Sequence, residues 1–370
     1  MKALTPNSAG FVFPHIVGTG GIGSGMFFSL QGEHTLGRNE SRLGTLQPYQ
    51  DYGKMHIIMH YAAVLQGAHP AGPFRAFPIG RVGDDEVGRQ LVQQMQQVGM
   101  DTIGVAVSPD ERTLFSVCFQ YPDASRGNIT TDNSASAQLS SDDITRFFRN
   151  HPEADQAGIV LAAPEVPVAT RITLLEQGRK VGSLNVASVL SSEVEAFEQQ
   201  GGFALVDVLA VNTDEAQRIA GAEEDTPSDA MAAACVDRLR VVNPNVILLL
   251  TDGARGSYCY AHRQLRFTPG LATSVVSTAG AGDAFLAGTL AGMNSGLPWH
   301  KEDDDATFGD TPLTTAVELG TLLASLAVTS ADTIHATADA ATLRAYAQQK
   351  NVSFGADFSR LFPPTNASPS

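Results

Sequence analysis

The chain has 370 residues, 43% hydrophobic and 17% charged, with 35 glycines and 19 prolines; this is a globular composition and excludes fibrous or wholly disordered classes. Its formal net charge of -15 repels polyanions, so no nucleic-acid partner is expected and any phosphate must be held locally, by backbone N–H groups and a metal ion. Cys118, Cys235 and Cys259 lack zinc or redox spacing and suit a reducing cytoplasm, and no apolar run is long enough to span a bilayer.

In chain order, the first residues are broken by Pro6 and Pro14 and carry no leader pattern. Residues 18–23 spell G-x-G-x-x-G after an apolar stretch. That is the dinucleotide-binding spacing, but Gly32 interrupts the helix such a motif needs, and Glu40 does not sit at a second strand end. A glycine-lined wall beside a substrate is the better reading. Gly80, Gly83, Asp85 and Gly88 read as a tight turn and an Asp-capped helix ending near Gly99. Residues 103–107 and 113–121, with a turn at Pro109, predict a β-hairpin, and a third extended piece follows around Gly127.

From residue 157 onward, strands and helices alternate. Strands are expected at 157–162, 181–186, 205–211 and 246–251. Helices are expected at 168–180, 212–220, 227–239, 282–293 and 314–328. This rhythm predicts a mostly parallel sheet with helices on both faces. The acidic stretch at 300–312, with Glu302, Asp303, Asp304, Asp305 and Asp310, reads as a solvated loop, and residues 361–370 as a frayed tail.

The sharpest signal is at 275–285, where an extended run ends in Gly280, Ala281 and Gly282 and a helix begins at once. Free N–H groups at a helix start form an anion pocket, reinforced by the helix dipole. Asp283 lies in the first turn, placed to take a proton from an attacking hydroxyl. Taken alone, Asp283 reads equally well as a first-turn carboxylate favoured by the dipole.

Residues 277–288 resemble the C-terminal signature of the ribokinase-like (PfkB) carbohydrate kinases, D-T-x-G-A-G-D-x-F-x-x-G, at Thr278, Gly280, Ala281, Gly282, Asp283, Phe285 and Gly288. The resemblance implies a ribokinase-like α/β domain over 1–360, with a small β lid drawn from about 26–50 and 103–130. It implies Asp283 as base, with Gly280, Ala281 and Gly282 as the anion hole. It also implies transfer of the ATP γ-phosphate to a hydroxyl of a sugar or sugar-like molecule. Asn212 and Glu215 resemble the family's N-x-x-E motif, which shapes the Mg2+ and phosphate environment; an Asn cap with a first-turn Glu explains the same residues. Thr251, Gly253 and Gly256 resemble its T-x-G-x-x-G nucleotide strand and turn, and a hairpin with positive-φ glycines is the plain alternative. Thr278 joins this nucleotide set. A homodimer through the lid would also follow the family.

Two parts depart from the pattern. Ser277 replaces the signature's first Asp, which puts monovalent-cation dependence in doubt. No carboxylate follows the first strand, and the sugar-gripping di-glycine and Asn are absent. The substrate set is therefore read as Gly23, Gly25, Gly53, Lys54 and His56, with His56 standing for the Asn. Arg38, Asn39 and Arg42 lie nearby in sequence, and Arg and Lys side chains suit an acidic or phosphorylated acceptor. A catalytically silent ligand sensor and an NAD-dependent oxidoreductase are the competing readings.

Overall fold

The computed structural model describes residues 1–6, 10–32, 35–122, 126–223, 225–301 and 311–363. Its strands are β1 (His15–Thr19), β2 (Gly23–Leu30), β3 (Gly44–Tyr52), β4 (Arg75–Gly83), β5 (Val105–Ser108), β6 (Leu114–Gln120), β7 (Arg126–Thr130), β8 (Ile159–Ala162), β9 (Leu184–Ser188), β10 (Val208–Asn212), β11 (Ile247–Thr251), β12 (Gly256–Ala261) and β13 (Gln264–Pro269). Nine form one sheet in the order β13-β12-β11-β10-β9-β8-β1-β4-β5. The run from β11 to β5 is parallel; β12 and β13 add an antiparallel edge. β1, β8 and the centre of β11 are fully buried, as continuous apolar runs covered on both faces must be.

Helices Lys54–Gln66, Ala281–Asn294 and Ala316–Ala327 pack on one face of this sheet. Val168–Val181 and Ser228–Val242 pack on the other. The helices beginning at Ala281 and Ala316 come so close that a Cβ on Gly288 would lie 2.9 Å from the Gly320 Cα. The last glycine of the 277–288 pattern therefore has a packing cause.

A second sheet has four strands in the order β3-β2-β6-β7. Here the expected hairpin is corrected. β5 lies parallel to β4 at the edge of the main sheet, while β6 leaves to pair with β2 and β7. The crossing is fixed by Asp85, which caps the helix Glu86–Gln97 and also accepts from the Thr113 N–H and hydroxyl at 2.9 and 2.7 Å. The run before Gly280 is not a strand either; residues 270–280 form an irregular loop. Elsewhere the expected elements stand with shifted ends: Val181 closes a helix and β9 begins at Leu184. Residues 302–310 and 364–370, which hold most of the acidic loop and the tail, lie outside the described residues. Among the described residues, no helix is long and apolar enough to cross a membrane.

Candidate active site

Crossovers from β1 run one way, to β4 and β5, and those from β8 run the other way, to β9, β10 and β11. The sheet's reversal point thus falls between β1 and β8, where open α/β sheets bind ligands at the carboxyl ends of their strands. A cavity of about 830 Å³ opens along those ends, lined by residues after β9, β10 and β11 and by the start of the helix at Ala281.

Asn212, Glu215, Thr251, Gly253, Gly256 and Thr278 all line it. At the end of β10, the Asn212 side chain accepts from the Glu215 N–H at 2.9 Å, and Glu215 Oε2 accepts from the Asn212 N–H at 2.7 Å. This is a complete capping box, so the capping role is real and the residues also face the cavity. Burial pushes the Glu215 carboxyl up, opposed by the Asn212 N–H and by Lys54. The β11–β12 hairpin turns on Gly253 and Gly256, at φ 53° and 135°. A Cβ on Gly256 would sit 2.1 Å from the Thr268 carbonyl, so only glycine fits. The far wall is apolar, with Leu271, Val275, Leu286, Ala324 and Val328, as the walls of small-molecule sites mostly are.

Gly280 is the N-cap of the helix at Ala281, at φ 77°. The Ala281 N–H donates to the Thr278 carbonyl at 3.3 Å. That corrects the expected three-amide hole: Ala281 is engaged in the turn. Among the described residues, the N–H groups of Gly280, Gly282 and Asp283 have no protein acceptor. Gly282 is open: the nearest neighbour to a Cβ there would be Thr251 Oγ1 at 3.9 Å. Asp283 lines the cavity and is half-buried. Burial pushes its carboxyl above the usual range, Lys54 pulls it down, and the charge on Asp51 pushes it up. Ser277, buried, accepts from the Ala279 N–H at 3.3 Å.

Lys54 is the pivot. Its ammonium is held above the usual lysine value by Asp283 first, against burial, with Glu165, Glu215 and Asp51 adding to the effect. Glu165 belongs to none of the motifs in the sequence. It follows β8, at φ 73°, a conformation costing a non-glycine residue of order 1–3 kcal/mol. Its Oε2 accepts from the Lys54 N–H at 3.0 Å, supplying the cap that Gly53 cannot. Burial first, against the pull of Lys54, brings the Glu165 carboxyl to about 7. The glycines explain the approach. A Cβ on Gly21 would lie 2.2 Å from Glu165 Oε2, and one on Gly53 would lie 2.3 Å from the Gly21 carbonyl. The G-x-G-x-x-G stretch is therefore a close-packing device. After β1 comes strand β2, not the helix that a dinucleotide fingerprint requires.

The four-stranded sheet turns Gly23 and Gly25 inward, with Leu114, Ser116 and Asp51 on the same face. Asp51 Oδ2 accepts from the Ser116 hydroxyl at 2.7 Å. Two of the expected acceptor groups are displaced. His56 is fully buried against Tyr52 and His60, and burial drives its imidazole down to about 3. A ring embedded under a helix that is buried on nearly all sides cannot replace a hydroxyl-binding Asn. Arg42 pairs with Glu40 at 2.6 Å, while Arg38 and Asn39 are exposed. Asp51 was passed over, although it stands three residues before Lys54 in the stretch read as the acceptor site.

A family model described as pfkB family carbohydrate kinase matches residues 61–340. Probable fructokinase-7 of Arabidopsis thaliana is 25% identical over 65% of this chain and 71% of its own length. The 2-dehydro-3-deoxygluconokinase of Thermoproteus tenax is 27% identical over 71% of this chain and 82% of its own. Among solved structures, ribokinase from Thermotoga maritima superposes with a TM-score of 0.68 at 15% identity, covering 91% of this chain and all of that one (100%). The likeness to that structure is one of fold.

Proposed function

This chain belongs to the pfkB family of carbohydrate kinases, and on that footing we propose that Asp283 is the base that activates the acceptor hydroxyl for attack on the γ-phosphate of ATP. The observation that carries the proposal is the pairing of Asp283 with open amides at Gly280, Gly282 and Asp283, at the mouth of the 830 Å³ cavity and beside Lys54. The helix dipole and the amides favour negative charge where the transferring group develops it. As the acceptor oxygen bonds to phosphorus, its proton passes to the Asp283 carboxylate and the bond to the β-phosphate oxygen breaks, releasing ADP.

The nucleotide is assigned to the cavity, its base against Leu271, Val275 and Val328 and its phosphates toward Thr251 and Gly282. Mg2+ would be held near Glu215, whose second carboxylate oxygen is left over from the capping box, and would neutralise phosphate charge when bound. Ser277 and its turn give no support to a monovalent-cation site. The β2, β3, β6 and β7 sheet is read as a lid over the acceptor. Its outer face carries Met26, Leu46 and Ile129, which are 44%, 54% and 64% exposed, and this supports a homodimer through that face. Three free cysteines support a cytoplasmic setting.

The test is Asp283→Asn. Turnover should fall about 100- to 10,000-fold while the nucleotide Kd, measured by isothermal titration, changes little. Wild-type turnover in that variant would remove the assignment.

A further inference from the structure

We propose that Asp51, on the inner face of the lid, is the residue that recognises the acceptor, and that the acceptor is an uncharged polyhydroxyl compound, not a sugar acid or a sugar phosphate. The proposal rests on the reading of Asp283 as base.

The first support is placement. Asp51 shares a rung with Gly25 on β2, which in turn pairs with Ser116 on β6. Gly25 is bare, and a Cβ there would lie 2.9 Å from Asp51 Oδ2 and 2.1 Å from Ser116 Oγ. The glycine thus leaves the carboxylate uncovered. Oδ2 accepts from Ser116 at 2.7 Å and from the Cys118 thiol at 3.5 Å. Among the described residues Oδ1 has no donor. An ionised carboxylate is acceptor-only, so what it lacks is a hydroxyl or N–H.

The second support is rigidity. The Gln50 N–H donates to Asp332 Oδ1 at 2.8 Å, the Tyr52 N–H to Thr333 Oγ1 at 3.1 Å, and the Thr333 N–H to the Gln50 carbonyl at 3.2 Å. The backbone is pinned on both sides of Asp51. The same Thr333 presses its carbonyl on Gly280, where a Cβ would come within 2.5 Å of it. One buried residue thus sets the distance between the acceptor carboxylate and the phosphoryl-binding amides, as positioning for in-line transfer demands.

The third support is charge. Lys54 lines the cavity and is acted on by Asp283, Glu165, Glu215 and Asp51 together. Among the described residues its ammonium nevertheless makes no hydrogen bond or close ion pair with any of them. A half-buried ammonium that feels these charges without a hydrogen-bond acceptor is placed to take a ligand oxygen. The arginines that would favour an anion are elsewhere: Arg42 is paired with Glu40 and Arg38 is exposed. A polyol supplies hydroxyl donors to Asp51 and oxygen acceptors to Lys54 while adding no charge. An anionic acceptor bridging Asp51 and Asp283 would meet both charges, which already act on one another, and like charges so placed select against it. No carboxylate exists in residues 18–25 to share the role.

The experiment measures kcat and KM for the wild-type chain, Asp51→Asn and Asp51→Ala on hexoses, pentoses and polyols, alongside gluconate-type acids and hexose monophosphates. The wild type should favour its best uncharged acceptor over any anionic one by at least about 100-fold. Asp51→Asn, which keeps size and the Ser116 partner, should raise KM for that acceptor about 10- to 150-fold, the loss expected of a hydrogen bond to a charged group. It should leave kcat within about threefold and the nucleotide Kd unchanged, as a pure binding role requires. An unchanged KM in both variants, or a wild-type preference for an acid or a phosphate, overturns the inference while leaving wild-type turnover and its loss in Asp283→Asn intact. If the wild type phosphorylates nothing in the panel and Asp283→Asn changes nothing, the kinase reading has failed and this inference falls with it.

Discussion

Lys54→Met isolates the electrostatics on which the proposed base depends. Asp283 is the largest influence on Lys54, and Lys54 is the cation that draws the Asp283 carboxyl back down against burial. A nearby opposite charge favours the ionised carboxylate and so lowers its pKa, and every tenfold change in proton affinity is about 1.4 kcal/mol between the two protonation states. The sign follows directly. A base must be deprotonated, removing the cation raises its pKa, and the acid limb of kcat/KM therefore moves to higher pH. Below both limbs the variant should be at least about tenfold slower, and the gap should narrow as pH rises. Glu165, near 7, would add an inflection in the same window, so the profile is repeated in a Glu165→Gln background. The assay is ADP release from pH 4.5 to 9, with nucleotide affinity measured at each end. Lys54→Arg should restore the limb because it restores the charge. A loss that is equal at every pH, with the limb unmoved, would refute this reasoning and make Lys54 a direct phosphate ligand.

Two further substitutions test geometry. Gly280→Ala must place a side chain at φ 77° with its Cβ about 2.5 Å from the Thr333 carbonyl; it should lower kcat at least tenfold, with a far-ultraviolet spectrum like the wild type's, and unaltered kcat would show that the hole does not need this turn. Gly21→Ala puts a Cβ 2.2 Å from Glu165 Oε2, so it should dislodge the cap on Lys54 and lower both activity and melting temperature, the latter by a few degrees for about 1 kcal/mol lost; a variant that melts and turns over like the wild type would show Glu165 to be free to move.

The proposed phosphoryl end of the site was legible because it is made of main chain. A helix start without side chains, a capping Asn with Glu three residues on, and two positive-φ glycines in a turn are local demands, and each leaves a residue-type trace at fixed spacing. Gly280, Asn212, Gly253 and Gly256 line one cavity, and the three glycines stand at positive φ. Even there the sequence could not say that the Ala281 N–H turns back to Thr278, since that depends on a loop which looked extended. The hairpin at 103–121 failed for a related reason. Both segments alternate as strands should, and only the tertiary hold of Asp85 on Thr113 decides that they pair with different sheets.

The proposed acceptor end was not legible because it is assembled from side chains whose partners lie far away in sequence. His56 was chosen by position along a motif, but a residue's place on a helix fixes its direction, and this one points into the apolar layer beneath the sheet. Glu165 sits 111 residues from the amide it caps, and Asp51 sits 65 from Ser116. Neither separation has a sequence period. What unites them is Lys54, whose charge is acted on from the strand end at Glu165, the capped helix at Glu215, the helix start at Asp283 and the four-stranded sheet at Asp51. One cation shared among four elements is a physical reason for the lid and the sheet to act as one site. An acceptor that satisfies Asp51 from the lid side necessarily places its hydroxyls in the field that also sets the proton affinity of Asp283.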